Sequence, residues 1–181
     1  MGAGCVGCQT GPMTIHSSHP YLPPEEQRDP ARRLRGLLPL PVTVWTSVDG
    51  RRRDAWTISS VLVAAGEPAE LVALVDEDCD WWDVFRGTGL ATVNVLARGQ
   101  GWIADVFARV APSPGGVFRT GEWTDDAHGP RLSGAAAWVR VRLVDANPGH
   151  AGWGLLVRAV VESIEIADDV RAIEHRRGHY R

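Results

Sequence analysis

Three hydroxyls crowd a segment that otherwise reads as a strand. In DAWTISSVLV, residues 54–63, Thr57, Ser59 and Ser60 stand where a plain core strand would carry Val or Ile. In extended backbone Thr57 and Ser59 project to one face, Ile58 and Ser60 to the other. Such hydroxyls either face solvent on an edge strand or meet a polar ligand, to which each can donate and accept. The neighbourhood favours a ligand: residues 51–53 are all Arg, and apolar sequence resumes at once after Ser60.

The other chemistry-bearing residues are sparse. Cys5 and Cys8 have the C-x-x-C spacing of zinc sites and redox dithiols, but only His16 and His19 lie near as further ligands, and no strand-to-helix context surrounds the pair. Residues 1–24, rich in Gly, Ser, Pro and His, read as a flexible arm preceding a domain over 25–181. No Ser-His-Asp, H-E-x-x-H or P-loop pattern occurs. All 19 basic residues are Arg, so any phosphate must be gripped by guanidinium, hydroxyl or backbone N–H groups. A net charge of −3 argues against nucleic acid or an anionic membrane as partner. No apolar run approaches a membrane span, and the three cysteines suit a reducing compartment, so a cytoplasmic location is expected.

These residues need elements to hold them. Asp29-Pro30 predicts a capped helix start, with Leu34, Leu37 and Leu38 on one face and an end near Pro39. Residues 42–48 predict a strand running into the Asp49-Gly50 hairpin signal, and a second strand returns over 55–63. A third follows over 71–75. Trp81, Val84 and Phe85 have helical spacing across 80–88, with Asp80 placed as cap and Gly87 and Gly89 as terminators. Residues 90–97 read as a strand and 100–108 as a helix with Ile103, Val106 and Phe107 on one side. Period-two alternation over 135–145 and 155–166 predicts two longer half-buried strands. The sum is a mainly β chain with a few short helices, an antiparallel barrel.

The order PVTVWTSVDG, DAWTISSV, EPAELVALVDEDCDWWDVFRGTGLATVNVLA, GWIADVFA, GPRLSGAAAWVRVRLV and EHRRGHYR resembles the flavin reductase family, which binds FMN in a split β-barrel of Greek-key-like antiparallel strands. The likeness covers about residues 29–181, and the colinear order of the pieces makes it specific. It implies an NAD(P)H-dependent FMN reductase, with FAD as an alternative flavin, a homodimer, and a monooxygenase receiving the reduced flavin. Cofactor contacts are implied at Arg53, Ala55, Trp56, Thr57, Ile58, Ser59 and Ser60, where backbone groups match the isoalloxazine edge and hydroxyls suit the ribityl oxygens.

Two departures from the family pattern stand out. Where the family carries a Ser-x-Thr-like phosphate loop, this chain has Cys79-Asp80-Trp81-Trp82; the following helix start still suits an anion, and Arg52, Arg53 or Arg86 could supply the grip. Trp81 and Trp82 serve either flavin stacking or core packing. Where the family places a His beside the nicotinamide, the region reads NPGHAGWGLLV: counting back from the strand puts Trp153 there, and a gap brings His150 there. Asn94 is implied near the cofactor, against the alternative of a satisfied core amide. His175, Arg177, Tyr180 and Arg181 are implied as pocket or dimer contacts, against a frayed tail. Two rivals follow from the departures: a split-barrel reductase using a deazaflavin, and a non-catalytic flavin-binding protein.

Overall fold

The computed structural model describes residues 29–50 and 52–181; Cys5, Cys8, His16, His19, the arm and Arg51 lie outside the described residues. In chain order the elements are α1 (Pro30–Leu37), β1 (Leu40–Pro41), β2 (Thr43–Asp49), β3 (Arg52–Ile58), β4 (Val61–Ala64), β5 (Glu70–Val75), α2 (Asp80–Thr88), β6 (Leu90–Val95) and α3 (Gly101–Phe107). A 3-10 turn at Val117–Arg119 follows, then β7 (Trp123–Thr124), β8 (Arg131–Leu132), β9 (Ala137–Leu143), β10 (His150–Ala151), β11 (Gly154–Ile166), β12 (Glu174–Arg176) and β13 (His179–Tyr180).

The main sheet runs β3-β2-β6-β9-β11-β5-β4, antiparallel throughout, with β10 added to β11. Consecutive strands β3 and β4 thus stand at opposite ends of that order. The predicted single strand over 55–63 is therefore two: the chain breaks at Ser59-Ser60 and crosses from one end of the sheet to the other. The Leu74 N–H donates to the Ser60 carbonyl at 3.0 Å, which ties the crossing to β5. The result is a curled half-barrel.

Both faces of the sheet are covered around β3, β2 and β6. Trp45, Ile58, Val93, Val141 and Val157 pack with Trp81, Trp82 and Phe85 of α2 in one cluster. Val42, Val44 and Ala55 pack with Ile103, Ala104 and Phe107 of α3 in another. Doubly buried β2 must satisfy its own polar groups. Trp45 donates its indole N–H to Thr43 at 3.0 Å, and Thr46 donates to the Pro130 carbonyl at 2.7 Å.

Other expectations are corrected in detail. Asp29 does cap α1, accepting the Ala31 N–H at 2.9 Å, but no residue of α1 is buried: Leu34 and Leu37, and Leu38 at its C-cap, are exposed. Cys79, not Asp80, occupies the N-cap of α2, and no side chain caps it. Strand β6 ends at Val95 rather than Ala97. The inward alternation of β11 holds through Ala159; a bulge lies between Val161 and Ser163, and Ile164 and Ile166 beyond it are exposed. The terminal segment is a hairpin, β12–β13, whose first strand pairs with β1.

Candidate functional site

Strand β3 pairs only with β2 among the described residues, so its other edge is open. The Ile58 carbonyl accepts from Thr43 of β2, whereas the Ala55 N–H is held by the side chain of Asp54 at 2.7 Å. Backbone groups alternate sides along a strand, so Ala55 and Thr57 direct theirs to the open edge. Trp56 and Ile58 turn their side chains to the first core cluster. Thr57 projects toward α3 and donates to the Ala104 carbonyl at 2.8 Å.

Ser59 and Ser60 are half-buried at the break. A single Arg35 nitrogen lies 3.4 Å from both hydroxyls, reaching over from the last turn of α1. The C-terminal hairpin sets that position: Arg177 donates its backbone N–H to Gly36 and Arg176 its guanidinium to Leu37, at 3.1 and 3.0 Å. Tyr180 of the same hairpin donates to Asp105 of α3 at 2.6 Å, and His175 packs edge-on against the Tyr180 ring. Burial holds the His175 imidazole below its ordinary value, with Arg35 and His179 adding to the effect and Asp105 opposing it. The two hydroxyls and an arginine thus meet where α1 reaches the β3–β4 break, with the chain end clamping α1 in place. Arg35 gave no signal in the sequence, because only the tertiary clamp on α1 brings it there.

The second predicted group is core instead. Trp81 is fully buried, donates its indole N–H to Ser47 at 3.1 Å, and stacks on Phe85 with ring centroids 5.0 Å apart. Trp82 meets the edge of the same Phe85. Cys79 is buried, and desolvation pushes its thiol up to about 11. Cys79 and Trp81 are packed inside, while Trp82 also lines a shallow cavity with Glu77, Arg86 and Pro148; at the start of α2, Arg52 donates to the Asp80 carbonyl at 3.5 Å. Asn94 is likewise spent inside: its amide nitrogen donates to the Val44 carbonyl at 3.1 Å and its oxygen accepts the Leu132 N–H at 2.7 Å. The Ala55 side chain is also fully buried.

His150 and Trp153 come together on the β10–β11 hairpin. His150 meets Glu77 at 3.0 Å, and Trp153 is fully exposed at the tip. They share the barrel end with the Ser59-Ser60 break. Ser60 bonds Leu74, Leu74 pairs with Leu156, and Leu156 donates to the Gly149 carbonyl at 2.8 Å. Three strand spacings, about 14 Å, separate the two groups. Arg53 lies at the other end of β3, over the Phe118 ring at 4.7 Å.

Comparison with known proteins gives this arrangement a context. Residues 34–181 match the family model "Flavin reductase like domain". The chain is 33% identical over 144 residues to an NADPH-flavin oxidoreductase of Streptomyces viridifaciens, covering 76% of this chain and 73% of that one. It is 30% identical over 129 residues to the FMN reductase (NADH) RutF of Variovorax paradoxus, covering 71% and 69%. Its fold superposes with a TM-score of 0.71 on BorF, the flavin reductase component of a bacterial two-component tryptophan halogenase, at 26% identity over 83% of this chain and 96% of that one. The split at Ser59-Ser60, the curled sheet and the match over nearly all described residues place the chain in the flavin reductase-like domain family.

Proposed function

We propose that the chain is an NAD(P)H-dependent flavin reductase that seats FMN along the open edge of β3. One observation carries this reading: the two hydroxyls of the β3–β4 break are half-buried and share one guanidinium at 3.4 Å, a donor set built for a polar ligand. The residues present fit a flavin. The Ala55 carbonyl and the Thr57 backbone offer groups to a ring edge, Ser59 and Ser60 offer hydroxyls to the ribityl chain, and Arg35 offers charge to an anionic oxygen. Ala55, Trp56 and Ile58 contribute backbone and packing rather than polar side chains, and Cys79, Trp81 and Trp82 support the α2 start from behind. Asn94 holds the strand beneath.

Bound flavin supplies the acceptor for a hydride from the nicotinamide, and with one proton from solvent the products are dihydroflavin and NAD(P)⁺. The chain's own share is to orient the two rings and exclude water. His150 and Trp153 border the approach to the same barrel end, where Trp153 offers an aromatic face to a planar ring. A homodimer, a cytoplasmic location and delivery of the reduced flavin to a monooxygenase belong to this reading; BorF, the reductase component of a two-component halogenase, supports hand-over of flavin to a partner enzyme.

The test is spectroscopic. Anaerobic NADH or NADPH should bleach the visible band of an FMN titration, and Ser59→Ala/Ser60→Ala should weaken FMN binding by roughly 10-fold, the scale of a lost charge-assisted contact. Trp153→Ala should raise the KM for NAD(P)H and leave FMN affinity unchanged. A yellow protein that does not bleach would favour binding without catalysis.

A further inference from the structure

Helix α1 carries Arg35 to the β3–β4 break, yet no residue of α1 is buried, so core packing does not fix where this helix lies. The C-terminal hairpin does. Strand β12 pairs with β1 directly after the helix, with Leu40 opposite His175. Arg176 donates from its guanidinium to the Leu37 carbonyl at 3.0 Å, and Arg177 donates its backbone N–H to the Gly36 carbonyl at 3.1 Å. The turn that aims this N–H is a strained one. Arg177 stands at φ +51 beside Gly178 at φ +78, the pair of left-handed residues that a two-residue hairpin requires and that an arginine disfavours.

The same hairpin grips α3. Tyr180 donates its hydroxyl to Asp105 at 2.6 Å, and burial together with that carboxylate holds the phenol well above its ordinary value, so it remains a donor. Its ring lies so close to Gly101 that a Cβ there would stand 2.5 Å from it. Helix α3 in turn accepts the Thr57 hydroxyl at the Ala104 carbonyl, one residue before Asp105. Two helices therefore touch the side chains of residues 57–60, α3 at Thr57 and α1 at Ser59 and Ser60, and one hairpin is bonded to both.

Arg35 does not hold its own place. One terminal nitrogen shared between two hydroxyls at 3.4 Å is a weak tether for a long side chain, so the direction of the guanidinium is set by the backbone beneath it. We infer that the C-terminal hairpin is a positioning device: Arg176 fixes the last turn of α1, Tyr180 fixes the hairpin on α3, and through them the chain end sets Arg35 and the preference of the seat for a phosphorylated flavin. Neither residue touches the ligand. The inference rests on the proposed seating of FMN, whereas the hairpin contacts stand without it. A guanidinium separates FMN from riboflavin, the same molecule without the phosphate, because the anion strengthens its hydrogen bonds. The ratio of the two affinities thus reads the placement of Arg35, while general damage to the fold lowers both affinities alike.

The experiment titrates FMN and riboflavin, by flavin fluorescence, into the full chain and its Arg35→Ala, Arg176→Ala, Arg176→Lys and Tyr180→Phe variants, and into the double variant Arg35→Ala/Arg176→Ala. The full chain should prefer FMN by roughly tenfold or more, and Arg35→Ala should abolish that preference. Arg176→Ala should cut the ratio about fivefold with riboflavin affinity unchanged, and Arg176→Lys, which keeps a donor for the Leu37 carbonyl, should restore part of it. Tyr180→Phe removes one hydroxyl and keeps the ring, and should lower the ratio about twofold. The double variant should match Arg35→Ala alone, since Arg176 acts through Arg35. Losses that add in the double variant would mean that Arg176 meets the ligand itself, and that result overturns the inference. An unchanged ratio in Arg176→Ala, or an equal loss of FMN and riboflavin, overturns it too. In each of these cases NAD(P)H still reduces bound FMN and the reductase reading survives. A full chain that binds neither flavin sinks both.

Discussion

The Asn94 side chain bonds backbone of β2, β6 and the 130–132 segment, which fits the satisfied core amide set against the cofactor contact that the family resemblance implies. Removing it leaves the buried Leu132 N–H without its acceptor. Asn94→Ala should therefore cost about 2–4 kcal/mol, read as a lower urea midpoint, while the flavin affinity of the folded fraction holds. The hydroxyl pair at 59 and 60 was legible as special, because Ser at consecutive positions fits neither face of a buried strand. Its partner Arg35 was not, since it lies 24 positions before Ser59 and no pattern in between brings them together. Trp81 and Trp82 were ambiguous for a different reason: helical spacing places a side chain on a face but does not say whether that face meets a ligand or a core.

Elements were read best where local chemistry dominates. The helix over 80–88 follows from the spacing of Trp81, Val84 and Phe85 and from Gly89, which ends it in the left-handed region at φ +71. The short pieces β1, β7, β8, β10, β12 and β13 escaped reading because two or three residues carry no periodicity; pairing alone defines them. Of these the C-terminal hairpin has a titratable tether. Since burial depresses the His175 pKa, the unfolded chain takes up a proton near 6.5, before the folded one does. The hairpin's stability is thus present in full above that value and falls as the pH drops below it. Faster amide exchange at Arg177 and Arg181 on going from pH 7.5 to 5.5, relative to the intrinsic rate, is the expected result. Unchanged protection would mean that His175 does not couple to the clamp.

The whole molecule is held across its sheet by an ionic array as well as by its two cores. Arg140 engages Asp126, Glu162 joins His128 and Arg142, and Glu165 takes both guanidinium nitrogens of Arg131 at 2.9 and 2.6 Å. The Arg140 guanidinium holds the Asp126 carboxyl below its ordinary 3.8. Its stabilising contribution is therefore complete above that pH and lost as acid carries the solution below it. Asp126→Asn should flatten the acid limb of a thermal-stability profile and leave the neutral region lower throughout. The array was invisible beforehand, because it links residues 125–131 to β9 and β11 through a loop with no pattern of its own. The overall curl, in contrast, was legible as an antiparallel barrel from strand count and alternation, although the crossing at 59–60 was hidden inside what read as one strand.

That crossing has a thermodynamic consequence. On the proposed seating of FMN, the seam of the half-barrel and the seat of the ligand are the same four or five residues, so occupancy and closure would be linked equilibria. A molecule gripping Ser59 and Ser60 also fastens the rim, and slackening the rim loosens the molecule. The Leu74 amide, whose proton rests on Ser60, is the natural reporter: its exchange should slow on saturation with FMN by the same factor by which the ligand shifts the opening of that rim.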